Sequence, residues 1–177
     1  MKEVCDHYGM LLVFDEVMCG MGRTGYLHAW QAENVTPDIQ LVGKGLAGGF
    51  FPISSMLVGH KIIEVFENGP SNGAFSHGHT FQNSPMGAAA ALEVQRIVED
   101  EHLLLNVREK GRMLEEKLRD RLAHHRYVGD IRGPKEGLFY AVSPSALYVA
   151  YLLTNGSSNS CKTKRRRHHF PRRMPYG

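Results

Sequence analysis

The chain has 177 residues, 42% of them hydrophobic and 22% charged, a composition that fits one globular domain with room for a real core. Seven of its Lys and Arg, and none of its Asp or Glu, fall after residue 142. The first 142 residues therefore carry 14 basic against 18 acidic side chains, and the formal net charge of +3 belongs to the tail. A mildly acidic body argues against a nucleic-acid-binding face there, and the longest apolar runs fall far short of the roughly 20 residues that span a bilayer. Three cysteines at unrelated spacings (Cys5, Cys19, Cys161) give neither a disulfide framework nor a zinc pattern. The first residues lack the basic-then-apolar layout of a secretory signal, so the expected compartment is intracellular, cytoplasmic by default, with a mitochondrial location left open.

Residues 10–14 (Met-Leu-Leu-Val-Phe) form a short continuous apolar run that reads as a strand buried on both faces and ending at Asp15. A loop dense in glycine follows (Gly20, Gly22, Gly25). After Thr36-Pro37, residues 39–42 read as a second strand delivering Gly43-Lys44-Gly45, and residues 53–58 as a third. Residues 69–73 carry loop chemistry. Ser84-Pro85 reads as an N-cap followed by proline in the first turn of a helix running to about Val98. A second helix is expected from about Val107, with Val107, Gly111, Leu114, Leu118 and Leu122 on one stripe and Glu109, Lys110, Glu115, Glu116 and Lys117 outside it. Residues 127–140 resemble a strand–turn–strand unit broken by Gly133-Pro134-Lys135-Glu136-Gly137. The alternation gives an α/β class. From Ser143 the periodicity stops, and residues 143–177 read as a disordered basic tail.

Three motifs compete for the chemistry. Gly20-Met21-Gly22-Arg23-Thr24-Gly25 matches the dinucleotide fingerprint G-x-G-x-x-G, but five residues separate it from the strand and the following segment carries Trp30 and Pro37 where a helix should open. Residues 11–16 look like the magnesium-holding strand of a phosphate-loop ATPase, yet Lys44 precedes glycine rather than Ser or Thr, and that reading falls. His77-Gly78-His79 lacks an acidic or cysteine partner at metal spacing, which favours a loop hydrogen-bonding role, and no metal is expected. The remaining pair is Asp15 and Lys44, each at the C-terminal end of an expected strand, where open α/β sheets place ligand-handling groups. A carboxylate and a lysine so placed suit pyridoxal phosphate chemistry, in which the lysine forms a Schiff base and the carboxylate keeps the ring nitrogen protonated. By themselves they equally fit a salt bridge or a solvated loop lysine.

Six pieces in order resemble the class III aminotransferases, pyridoxal-phosphate enzymes of fold type I. They are residues 11–17 (Leu-Leu-Val-Phe-Asp-Glu-Val), 20–25, Pro37-Asp38-Ile39, 43–49 (Gly-Lys-Gly-Leu-Ala-Gly-Gly), Pro52-Ile53 and 75–81 (Phe-Ser-His-Gly-His-Thr-Phe). The resemblance covers residues 1 to about 142. It implies a partial large domain with a mixed sheet and helices over 1–105, the start of the small C-terminal α/β domain over 106–142, and a tail over 143–177 unrelated to the family. It implies pyridoxal 5′-phosphate as cofactor, Asp15 against the pyridine nitrogen, Val17 against one face of the ring, and Lys44 as the Schiff-base and proton-moving lysine. Thr80 would bind the cofactor phosphate across a homodimer interface. The substrates implied are an amine or ω-amino acid as donor and a keto acid as acceptor.

The same resemblance implies that the chain is a fragment. The family's preceding half, with its phosphate-gripping loop and stacking aromatic, would be absent, and Pro134-Lys135-Glu136 stands as an insertion in the usual Arg-Gly-x-Gly-Leu turn. Two other classes follow as alternatives. One is a non-catalytic fragment that associates with a full-length aminotransferase subunit; the other is phosphate binding by the basic cluster at residues 162–167.

Overall fold

The computed structural model describes residues 1–70 and 73–155. Two small sheets and five α-helices follow in the order α1 (Lys2–His7), β1 (Val13–Asp15), β2 (Ile39–Val42), β3 (Ser55–Val58), α2 (His60–Asn68), α3 (Pro85–Asp100), α4 (Leu103–Leu122), β4 (Val128–Arg132), β5 (Ala141–Pro144) and α5 (Ala146–Asn155). Short 3-10 turns at Ala29–Ala32 and Lys44–Ala47 punctuate the first half. The first sheet has the order β1-β2-β3, with β1 parallel to β2 (Asp15 opposite Leu41) and β3 antiparallel to β2 (Leu57 opposite Gln40). The second is the antiparallel pair β4-β5, with a bulge between Val128 and Asp130.

Asp38 fixes the entry to both parallel strands. Its Oδ2 accepts from the Leu12 amide at 2.7 Å and its Oδ1 from Lys2 Nζ at 3.1 Å, while its own amide donates to the Leu12 carbonyl at 2.8 Å. The Leu12 amide, and after it the Lys2 ammonium, hold the Asp38 carboxyl below the usual carboxylate range.

The helix α3 opens at Ser84 with Pro85 in the first turn, as the sequence suggests, although Ser84 caps without a side-chain hydrogen bond. It lies against the Lys44–Ala47 turn, with Gln95 Nε2 donating to the Leu46 carbonyl at 3.0 Å. On α4, Gly111 is buried and has no room for a Cβ, because the Gly137 backbone presses on it. The loop 20–25 packs beneath the start of the same helix. Arg108 Nε donates to the Gly25 carbonyl at 2.8 Å, and its guanidinium lies 4.4 Å from the centre of the Tyr26 ring. These glycines serve close packing, and no α-helix opens behind them to hold a pyrophosphate.

Four sequence expectations change. The first strand is three residues long and not buried on both faces: Val13 is 50% exposed and Asp15 on the same face is exposed too, so that face is uncovered among the described residues. The second long helix begins at Leu103 rather than near Val107, started by His102 in a left-handed conformation. The last strand lies at Ala141–Pro144, past the expected end at Tyr140. Residues 143–155 are not an irregular tail either: β5 runs through Pro144, and α5 follows. Ser145 starts that helix, its Oγ accepting from the Tyr148 amide at 3.3 Å and donating to the Arg126 carbonyl at 2.8 Å. The apolar run after Ser145 supplies the helix formers. Residues 156–177, with their basic cluster, lie outside the described residues, as do Ser71 and Asn72 of the expected loop.

Candidate active site

Parallel pairing of β1 and β2 brings Asp15 and Lys44 to the same end of one sheet. Asp15 closes β1 opposite Leu41, and Lys44 opens the 3-10 turn directly after β2 and Gly43. The Asp15 carboxylate is held locally, its Oδ1 accepting from the Val17 amide at 3.0 Å. Val17 leans toward the lysine loop: a Cβ added at Gly43 would lie 3.6 Å from Val17 Cγ1. The Asp15–Val17 turn and the Gly43-Lys44 turn are thus neighbours.

Lys44 is exposed and adopts φ of 44°, a left-handed backbone uncommon outside glycine, asparagine and aspartate. Such conformations cost free energy and concentrate at functional positions. Lys44 borders an open cavity of about 560 Å³ with Gly49, Phe51, Pro52, Ile53 and Ser54. Asp15 borders a different and larger one, about 1050 Å³, which also reaches Thr24, Trp30 and Lys135. Thr24 Oγ1 is buried there without a hydrogen-bond partner.

Thr80 stands apart, exposed in the turn that precedes α3, and no hydrogen bond or ion pair joins it to Asp15 or Lys44 among the described residues. His77 and His79 lie exposed in the same loop, with His77 against the Phe75 ring. No group of three His, Cys, Asp or Glu side chains able to hold a metal occurs among the described residues. Burial, then the nearby Glu16 carboxylate, push the Cys19 thiol up, which keeps it protonated beside the Asp15 carbonyl.

Sequence reasoning treats Glu16 only as part of a motif, whereas the structure gives it the densest polar network of the first sheet. At 3% exposure its carboxylate accepts from the Ala29 amide, the Trp30 amide and Gln40 Nε2, each at 2.8 Å. Gln40 in turn meets His28 Nδ1 at 2.9 Å and accepts from Trp30 Nε1 at 3.1 Å. The available signal was a second charged residue directly after an apolar strand, together with Gln40 at a central-strand position, since buried polar groups come in satisfied sets.

Known proteins similar to this chain are aminotransferases. An aminotransferase from Gibberella zeae is 54% identical over 142 residues, which is 80% of this chain and 27% of the relative. A taurine–pyruvate aminotransferase from Bilophila wadsworthia is 41% identical over 143 residues, covering 80% of this chain and 31% of the relative. The solved structure of a taurine:2-oxoglutarate aminotransferase from Bifidobacterium kashiwanohense, in complex with PLP and glutamate, superposes with a TM-score of 0.73 at 30% identity over 80% of this chain and 30% of that one. The chain thus spans about a third or less of the length of the proteins it matches. The family described as aminotransferase class-III matches residues 1–155, past the boundary expected at Val142 and through the end of α5. With a partial α/β fold that superposes on solved transaminases and a family match over most of its length, the chain belongs to the class-III aminotransferases.

Proposed function

We propose that this chain carries the lysine half of a pyridoxal-phosphate site and takes part in moving an amino group from an amine or ω-amino acid to a keto acid. The observation that carries the reading is the convergence of Asp15, Val17 and Lys44 at one end of the parallel pair β1–β2. The donor set fits the cofactor: a carboxylate for the ring nitrogen, a branched apolar side chain for one face, and a primary amine for covalent attachment. Bound there, pyridoxal phosphate supplies an electron sink for the substrate α-carbon. Asp15 would hold the proton on the ring nitrogen, Val17 would restrain the ring by contact, and Lys44 Nζ would bond the cofactor and then carry the proton to and from the substrate carbon. The phosphate is assigned to Thr80 of a second subunit in a homodimer, for which Thr80 is exposed in the turn before α3. Borohydride reduction after incubation with pyridoxal phosphate tests the reading, which expects label on Lys44 that Lys44→Ala removes.

A second reading, association with a full-length aminotransferase subunit, is favoured by a separate observation. Among the described residues only Leu12, Val42, Ala47 and Ile131 are buried apolar side chains, while Met10, Leu11, Val13, Met56 and Leu57 are exposed on the two edge strands and their approaches. So thin a core stabilises a chain of this size poorly, and open edges recruit partner strands.

A further inference from the structure

Glu16 sits between the two residues proposed to touch the cofactor ring, and everything around its carboxylate donates. The Ala29 amide and Gln40 Nε2 reach Oε2, and the Trp30 amide reaches Oε1, all at 2.8 Å. Its backbone is held as well, the amide donating to the Leu41 carbonyl at 2.9 Å and the carbonyl accepting from the Gly20 amide at 2.9 Å. No cation pairs with it among the described residues. Burying a carboxylate without a counter-charge is costly unless hydrogen bonds replace water. Here the donors dictate the residue: glutamine, with one acceptor oxygen and an NH2 group, would turn a donor toward a donor.

The geometry has a consequence for the site. Glu16 directly follows Asp15 at the end of β1, and Val17 opens the turn over residues 17–20, so a Glu16 carboxylate pinned inward fixes the point where the chain leaves the strand, between Asp15 and Val17. The same carboxylate grips Gln40 on β2, two residues before the Val42 that leads into Gly43-Lys44. One buried group therefore ties the Asp15 turn to the strand that delivers the lysine.

We infer that Glu16 is a positioning residue, which sets the Asp15–Val17 turn against the Lys44 loop through its bonds to Ala29, Trp30 and Gln40. The inference rests on the cofactor reading of Asp15 and Lys44 for its functional meaning, but its structural content is separately measurable.

The test uses the full chain as wild type, Glu16→Gln, and the reciprocal swap Glu16→Gln/Gln40→Glu, which returns a carboxylate facing an amide to the same place. Two readouts are taken. Hydrogen exchange at the Val17 amide reports how firmly Asp15 is held without any cofactor. Borohydride trapping on Lys44 over a range of pyridoxal phosphate concentrations reports the assembled half-site. Loss of a charged hydrogen bond predicts that Glu16→Gln speeds Val17 exchange, and raises the concentration for half-labelling, by roughly tenfold or more. The swap should recover most of both. Unchanged Val17 exchange in Glu16→Gln overturns the inference. So does a swap that restores the urea midpoint without restoring Val17 protection, because Glu16 would then serve stability alone. A Glu16→Gln chain that does not fold leaves the swap to decide on the same two readouts. If Val17 responds as expected but wild-type Lys44 takes no label, the positioning stands and the cofactor reading is what fails.

Discussion

Asp38 joins three separate pieces of chain, and its charge state should govern how firmly they hold. Its carboxyl is held below the ordinary range by the Leu12 amide first and the Lys2 ammonium second. A carboxylate whose folded value is depressed contributes stability that is fully present above its unfolded value, about 3.9, and is lost as pH falls through the folded value. The urea midpoint of the wild type should therefore exceed that of Asp38→Asn at neutral pH, and the two should converge as pH drops below about 4. A gap that persists unchanged into the acid range would show that the anchor works by shape rather than charge. At this scale the sequence was informative about position: the two apolar runs predict strands ending near Asp15 and just before Lys44, and the parallel register and the approach of Val17 to Gly43 put those strand ends side by side. It was uninformative about Glu16 and Gln40, because a buried polar network depends on partners 13 to 24 positions away that no local pattern specifies.

Between α4 and the turn before β5 the contact is backbone on backbone. A Cβ at Gly111 meets Gly137 N and O, and Gly137 itself adopts φ of 142° against the Thr24 backbone. Replacing Gly111 with alanine should raise helix propensity by about 1 kcal/mol in isolation. The collision with an unyielding backbone should outweigh this, leaving a net destabilisation of roughly 1–3 kcal/mol as is usual for overpacking. Urea denaturation monitored by circular dichroism reads the difference, and a Gly111→Ala chain at least as stable as wild type would mean that the helix and turn are not closely docked. The helical stripe containing Gly111 was visible in the spacing of apolar residues, and so was the proline-started α3. The start of α4 was missed because His102 begins it from a left-handed conformation rather than through a polar cap. The helix α5 was missed because the loss of charge after Ser143 resembles the start of a tail, whereas the apolar run that follows suffices for a helix once Ser145 caps it. The α1 and α2 helices, six and nine residues long, are too short for the window over which a helical period is read, although α2 is amphipathic.

Among the described residues the first sheet has three strands with both edges unpaired and few buried apolar side chains, and the chain spans about a third or less of the proteins it matches. Exposed edge strands with apolar side chains pair with other chains. Light scattering across a concentration series should accordingly show association of the wild type, reduced in Leu11→Lys/Val13→Lys, which places charge at the β1 edge. A wild-type chain that stays monomeric at every concentration would remove the argument for a partner at that edge. Asp15 and Lys44 are proposed to form a working half-site at the end of β1 and β2. Its most direct measurement is the stoichiometry of pyridoxal phosphate trapped by borohydride on Lys44, mapped by peptide mass in the wild type, Lys44→Ala and Asp15→Ala. Near-stoichiometric label is expected at Lys44, with none in Lys44→Ala and a marked loss in Asp15→Ala. Label scattered over Lys2, Lys61 and other lysines, unchanged by either substitution, would contradict it.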